Sequence, residues 1–206
     1  MMRGILLALA VAGVTTPLVA APLSVRVVDS AGRPVRDAVV TFRPSGSPAR
    51  PARGGRFVIA QKGMQFRPFL TIVPVGSDVS FPNLDATKHH VYSFSPAKRF
   101  ELKLFAKDQS RTVHFDKPGI VALGCNIHDA MSAFIFVTDS AWTARTNAKG
   151  VAAFADVPTA PGRLTLWHPH LRAPGGTVQQ ALAASQRSAS FAVRLRPPPA
   201  MPPMDY

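Results

Sequence analysis

The run Gly124-Cys125-Asn126-Ile127-His128-Asp129-Ala130-Met131 decides how the rest of this chain is read. It holds the one cysteine of the 206 residues, with an imidazole and a thioether close behind. Strand-like segments flank it. Ile120–Cys125 leads in, launched by the turn Asp116-Lys117-Pro118-Gly119, and Ala133–Val137 leads out. Two soft sulfur donors and one borderline nitrogen therefore share a short loop between neighbouring strands. A lone cysteine in a β core is usually inert packing, and a lone methionine is usually core filler. Cys125, His128 and Met131 in register on a loop are not a core pattern.

Outward from the loop, the same strand chemistry recurs. Arg56–Ala60, Phe69–Val73, Ser77–Phe81, His89–Phe94, Phe100–Phe105 and Arg111–Phe115 are short segments separated by Gly, Pro, Asp or Asn. Period-two alternation is clear in Phe100, Leu102 and Leu104, with Glu101 and Lys103 between them. With the two strands around the loop, this density of short strands predicts an all-β sandwich or barrel. The segment His89–Phe94 opens on a pair of imidazoles, His89-His90. Two His, one Cys and a weak axial Met form the ligand set of a blue-copper electron-transfer site.

The stretch from Phe66 to Val137 resembles the cupredoxins. It carries a Gly-led strand, Gly76-Ser77-Asp78-Val79-Ser80-Phe81-Pro82-Asn83, then His89-His90-Val91, then Phe115-Asp116-Lys117-Pro118-Gly119 ahead of the cysteine loop. The Cys-x-x-His-x-x-Met spacing is similar to that of the amicyanin type. The strings HHVYSFS (89–95) and GCNIHDAM (124–131) are similar to cupredoxin-like proteins of methylamine-utilisation clusters.

The resemblance implies a cupredoxin-like Greek-key β-sandwich over 56–138 and one type 1 copper ion. It implies His89, Cys125, His128 and Met131 as the metal ligands. Where the family pattern reads His-Asn-Val, His90 stands in place of Asn. The backbone N–H at that position is kept, but the side chain that ties the two ligand loops together is missing. His90 or Asn126 is expected to take over that supporting role. His90 is also the rival for first ligand, although His89 is preferred.

Other histidines read more plainly. His114 alternates along a strand as a surface or core residue. His168 and His170 share a spacing that suits a metal but lack carboxylate or cysteine company. A covalently attached c-type haem needs two cysteines. Structural zinc wants a closed set of Cys and His and has no use for Met. No HExxH, GxSxG or phosphate-loop string occurs. The chain is therefore not expected to be an enzyme.

The flanks carry strands of their own. Leu23–Asp29 and Val35–Arg43 alternate around the turn Ser30-Ala31-Gly32-Arg33-Pro34. Val25–Val35 with Asp37-Ala38-Val39-Val40 resembles the start of a carboxypeptidase regulatory-like (prealbumin-type) β-sandwich. Thr146–Gly150, Phe154–Pro158 and Leu164–Leu166 resemble the end of one. A second, smaller β-sandwich made from 22–48 and 139–196 is expected, interrupted by the copper unit. The rival is a cupredoxin with long strand extensions at both ends. Val178–Ser185 reads as a short helix. Pro44–Gly55 reads as a low-complexity connector with no reason to pack, and 197–206 as a disordered Pro-rich tail.

Met1-Met2-Arg3, the apolar run Ile5–Val14 and the small residues that follow describe a secretory signal over 1–20, cleaved after Ala20. The apolar run is too short to span a bilayer, so no stable membrane insertion is expected. A periplasmic location follows. There a lone thiol must be buried, paired with another chain or metal-bound. The net charge of +13, from 24 Lys and Arg against 11 acids, favours anionic lipid or an acidic redox partner; an exported chain has little occasion to meet nucleic acid.

The reading that gathers these expectations is a periplasmic electron carrier cycling between Cu(I) and Cu(II). An alternative with the same ligands is a copper-binding accessory protein that delivers copper, or helps a dehydrogenase mature in methylamine utilisation, without shuttling electrons. A metal-free structural surface module is the third, and it predicts no copper uptake.

Overall fold

The computed structural model describes residues 20–46, 50–128 and 131–197. The expected signal sequence apart from Ala20, the Pro-rich tail apart from Pro197, and Asp129 and Ala130 of the cysteine loop lie outside the described residues.

Two strands come first, β1 (Ala20–Asp29) and β2 (Val39–Pro44). In β1 the alternation of the sequence becomes burial: Leu23, Val25 and Val27 point into a core while Ser24 and Arg26 are exposed. The turn after it is closed by the Asp29 carboxylate, which accepts the N–H groups of Ala31 and Arg33, both at 2.9 Å.

An inner unit follows. Its strands are β3 (Arg56–Val58), β4 (Ala60–Gln61), β5 (Phe66–Arg67), β6 (Leu70–Pro74), β7 (Ser77–Pro82), β8 (His89–Ser95), β9 (Lys98–Phe105), β10 (Ser110–Phe115), β11 (Gly119–Gly124) and β12 (Ser132–Thr138). A sheet ordered β10-β7-β3 packs on a five-stranded sheet ordered β6-β12-β11-β8-β9. Phe81, Val91, Phe105, Phe115 and Ile135 fill the space between them. Each such side chain, fully buried, contributes about 1.5–3 kcal/mol.

The chain then returns through β13 (Thr143–Arg145), β14 (Val151–Pro158), β15 (Gly162–Trp167), β16 (Thr177–Leu182) and β17 (Ser188–Val193). These strands pair with the first two: β1 lies between β14 and β17, and β2 lies between β13 and β15, with β16 outside β15. Val25, Phe42, Leu164 and Leu166 are fully buried in the outer core. At Gly150 the chain turns with φ +71°, and a Cβ there would meet the Val27 carbonyl oxygen at 2.5 Å, so only glycine fits.

The two units meet on the outer side of the five-stranded sheet. Trp167 of β15 packs on Phe134 and Phe136 of β12, with ring centroids 5.7 and 5.8 Å away. Val39, Leu70, Ile72 and Ile120 complete that contact. Arg145 Nη1 crosses it to donate to the Leu70 carbonyl at 2.9 Å.

The chain is all-β, as its alternation predicts. Among the described residues the one helical piece is the 3-10 turn Pro174–Gly176. The helix expected over Val178–Ser185 is a strand as far as Leu182 and leads into a turn at Ala184 and Ser185. β16 runs antiparallel to β15 from Thr177 opposite Trp167 to Leu182 opposite Gly162. The free edge of β15 satisfies its backbone groups, and that pairing overrides the helical preference of Ala, Gln and Leu. The connector also differs from expectation. Gly55 N–H donates to Ser77 Oγ at 3.0 Å, Asp78 N–H to the Gly55 carbonyl at 2.9 Å and Ala141 N–H to the Arg50 carbonyl at 2.8 Å, so its described ends are packed.

Candidate metal centre

β8 and β11 are neighbours, and Gly124 at the end of β11 lies opposite Tyr92. The next residue, Cys125, is therefore delivered beside the start of β8. Alternation along β8 sends His89, Val91 and Ser93 into the sandwich, and all three are buried. His90, Tyr92 and Phe94 take the opposite face.

His89 Nδ1 lies 4.0 Å from Cys125 Sγ, and His128 Nδ1 lies 3.9 Å from the same sulfur. The two imidazole rings are 5.1 Å apart, and the three donor atoms all fall within 4.8 Å of one another. Donors about 2.0–2.3 Å from a single first-row ion stand roughly 3.3–3.8 Å apart. The two sulfur–nitrogen gaps need only a few tenths of an ångström of closure to reach that spacing, and the nitrogen–nitrogen gap needs about 1 Å. The residues present fit copper: two imidazoles and one thiolate in a buried pocket are the trigonal set that copper takes in electron-transfer sites. Met131 is buried in the same core cluster as Cys125, and its N–H closes the loop by donating to the His128 carbonyl at 2.9 Å. Cys125 and His89 are shielded from solvent, while His128 is half-buried next to the exposed Ile127.

His90 stands apart from this cluster. Its Nε2 is 2.9 Å from Glu101 Oε1, its ring packs 5.8 Å from that of Tyr92, and its buried Nδ1 has no hydrogen-bond partner among the described residues. Asn126 is exposed and borders, with His90, Glu101 and Ile127, a shallow cleft on the outer face. His114 is exposed and pairs with Asp78 at 2.8 Å. His168 and His170 have rings 5.6 Å apart, but His168 Nδ1 already accepts the His170 N–H at 3.1 Å, which removes that nitrogen as a free donor to metal.

Two residues that hold the first imidazole escaped the sequence reading. Asn83 is fully buried. Its Oδ1 accepts the Asp85 N–H at 2.9 Å, and its Nδ2 donates to the carbonyls of Thr87 at 2.8 Å and Phe105 at 3.1 Å. Asp85 then places Oδ2 at 2.8 Å from His89 Nε2. Burial alone would raise the Asp85 carboxyl, but the N–H groups of Met64 and Gly63 and the His89 ring outweigh it and hold it below the usual carboxylate value. The facing carboxylate favours the tautomer with the proton on Nε2, which would turn the Nδ1 lone pair toward Cys125. The legible signal was Asn83-Leu84-Asp85, an Asx-turn sequence directly ahead of the His pair.

The fold and the cluster define an all-β sandwich protein with a Cys–His–His group at a strand end, buried at Cys125 and His89 and half-buried at His128. No family model and no curated protein matches the chain. Among solved structures it is similar to a copper-containing nitrite reductase (NirK) from Thermus scotoductus SA-01, at 22% identity and TM-score 0.40, over 47% of this chain and 25% of that one. It is similar to a purple cupredoxin from Nitrosopumilus maritimus at 18% identity and TM-score 0.36, over 39% of this chain and 98% of that one. A reduced amicyanin variant matches at 23% identity and TM-score 0.39, over 48% of this chain and 98% of that one. The chain thus spans about a quarter of the nitrite reductase and nearly all of the two small cupredoxins.

Proposed function

We propose that this chain is a periplasmic cupredoxin that binds one copper ion and carries single electrons between redox proteins. The observation that supports it most directly is the convergence of His89 Nδ1 and His128 Nδ1 on the Cys125 thiol. His89, Cys125 and His128 would hold the ion, with the Met131 thioether as a weak fourth donor. Bound there, copper would supply a one-electron couple.

The chain's own residues do the rest. The stiff strands β8, β11 and β12 keep the donors in place in both oxidation states, so little reorganises as the charge changes. Burial of Cys125 protects the thiolate from oxidation. His128, half-buried beside exposed Ile127, is the ligand nearest solvent and the point of electron entry and exit. The net charge of +13 favours an acidic partner. Among the described residues no helix is long and apolar enough to cross a membrane. The outer unit, in this reading, is a separate β-sandwich domain into which the copper domain is inserted.

The test is titration of the purified mature chain with Cu(II), followed by visible absorption and voltammetry. An intense thiolate-to-copper band, reversible on reduction and absent in Cys125→Ser, is the expected result. Copper uptake that ignores Cys125→Ser, or no uptake, overturns the reading. Copper handed on to an apo-enzyme without electron exchange would move the chain to the delivery role.

A further inference from the structure

We infer that Asp85 is a positioning residue that orients the first imidazole and lowers the reduction potential of the copper centre. This rests on the copper reading above and deepens it, because it names what tunes that site.

Asp85 is gripped from both sides of its carboxylate. Oδ1 accepts the Gly63 N–H at 2.7 Å, and Oδ2 accepts the Met64 N–H at 2.9 Å. Those two donors lie on the turn between β4 and β5, where Gly63 and Met64 take left-handed φ values of 63° and 52° in succession. Met64 accepts a conformation that non-glycine residues avoid, and the result is that two neighbouring N–H groups aim at one carboxylate. From below, the Asp85 backbone is held by buried Asn83. The carboxylate therefore cannot follow the His89 ring; the ring must follow the carboxylate.

The remaining capacity of Oδ2 goes to His89 Nε2 at 2.8 Å. His89 is fully buried, whereas the Asp85 side chain keeps 16% exposure. A negative charge directly behind a ligand imidazole enriches the opposite nitrogen in electron density and raises its basicity. In a buried pocket that charge is poorly screened, so it favours the more positive oxidation state. His90 has a carboxylate too, but Glu101 is 60% exposed and His90 faces away from Cys125. Among the described residues only His89 combines a fixed carboxylate behind the ring with a thiol in front.

A loop anchor alone would affect stability; a tuning group also moves the potential. Asp85→Asn preserves shape and removes the charge. In the copper-loaded chain it should lower the Cu(II)-to-Cu(I) affinity ratio about tenfold, which for one electron is about 59 mV upward. Asp85→Glu should restore part of the shift. A Cys125-dependent copper band with a potential unmoved by Asp85→Asn overturns this inference and leaves the copper reading standing. A wild type that binds no copper sinks the copper reading first.

The tautomer is tested without metal and without mutation. Proton–nitrogen correlation spectra of the copper-free wild type should show His89 protonated at Nε2. A proton on Nδ1 overturns the inference even where the variants fail to fold.

Discussion

The Nδ1 of His89 and the Sγ of Cys125 lie 4.0 Å apart although 36 residues separate them in sequence. The adjacency of β8 and β11 brings them together, and the strand's alternation decides which of the two neighbouring imidazoles can join. His90 points to the opposite face, paired with Glu101 and packed against Tyr92. His89→Ala should therefore abolish the thiolate-to-copper band, whereas His90→Ala should leave it largely intact. Visible absorption of both variants under the same Cu(II) titration decides this. A band that survives His89→Ala and vanishes with His90→Ala would reverse the ligand choice.

Trp167 should matter to stability far more than to the proposed copper site. It is buried against Phe134 and Phe136 where the outer unit meets the five-stranded sheet. Truncation of a buried Trp to Ala removes about 3–5 kcal/mol. Urea unfolding of Trp167→Ala should show a loss in that range, followed by far-ultraviolet circular dichroism. The copper band of the folded variant should keep its wavelength. A loss near zero would mean that the two units hardly support one another.

Much of this was legible because strand burial writes itself into period two. Leu23, Val25 and Val27, or Phe115 after Val113, needed only alternation to be placed. The cysteine loop was legible for a different reason: three donor side chains within seven residues have few structural uses. What stayed hidden was pairing. Whether Ala181 and Leu182 would extend along β15 or coil depended on the preceding strand leaving an edge free, which alternation does not reveal. The support of His89 was hidden in the same way, since Asp85 acquires its role only when the turn at Gly63 and Met64 folds against it. The loop-tying side chain was sought beside the ligands, at His90 and Asn126. In the structure Asn83, six residues before His89, links the segment ahead of it to β9.

Gly124, immediately before Cys125, should resist the smallest enlargement. A Cβ at that position would lie 2.6 Å from the Tyr92 ring, which rests on the Gly124 backbone. Gly124→Ala forces the ring or β11 to shift, at a cost of about 1–3 kcal/mol. Tyr92→Ala opens the same space, so the double variant Gly124→Ala with Tyr92→Ala should be more stable than the sum of the single losses. A double-mutant cycle from urea unfolding measures that coupling. Strict additivity would mean that the ring moves aside freely.

His168 gives the chain a pH dependence that does not involve the His89–Cys125–His128 cluster. Burial is the main influence that holds its pKa below the ordinary histidine value, with the neighbouring charge of His170 acting the same way. The Arg36 backbone and Asp37 push back more weakly. Above about pH 6.5 the side chain is neutral in both the folded and the unfolded chain, and the folded state loses nothing. As the pH falls below that value the unfolded chain takes up the proton first, so stability declines until the depressed folded pKa is passed. Thermal unfolding of the copper-free protein between about pH 7.5 and about pH 5.5 should show this decline, with a shallower slope in His168→Gln. The comparison isolates His168, because the other five histidines are common to both proteins. Equal slopes would mean that the protonated ring is tolerated where it stands, in spite of its burial.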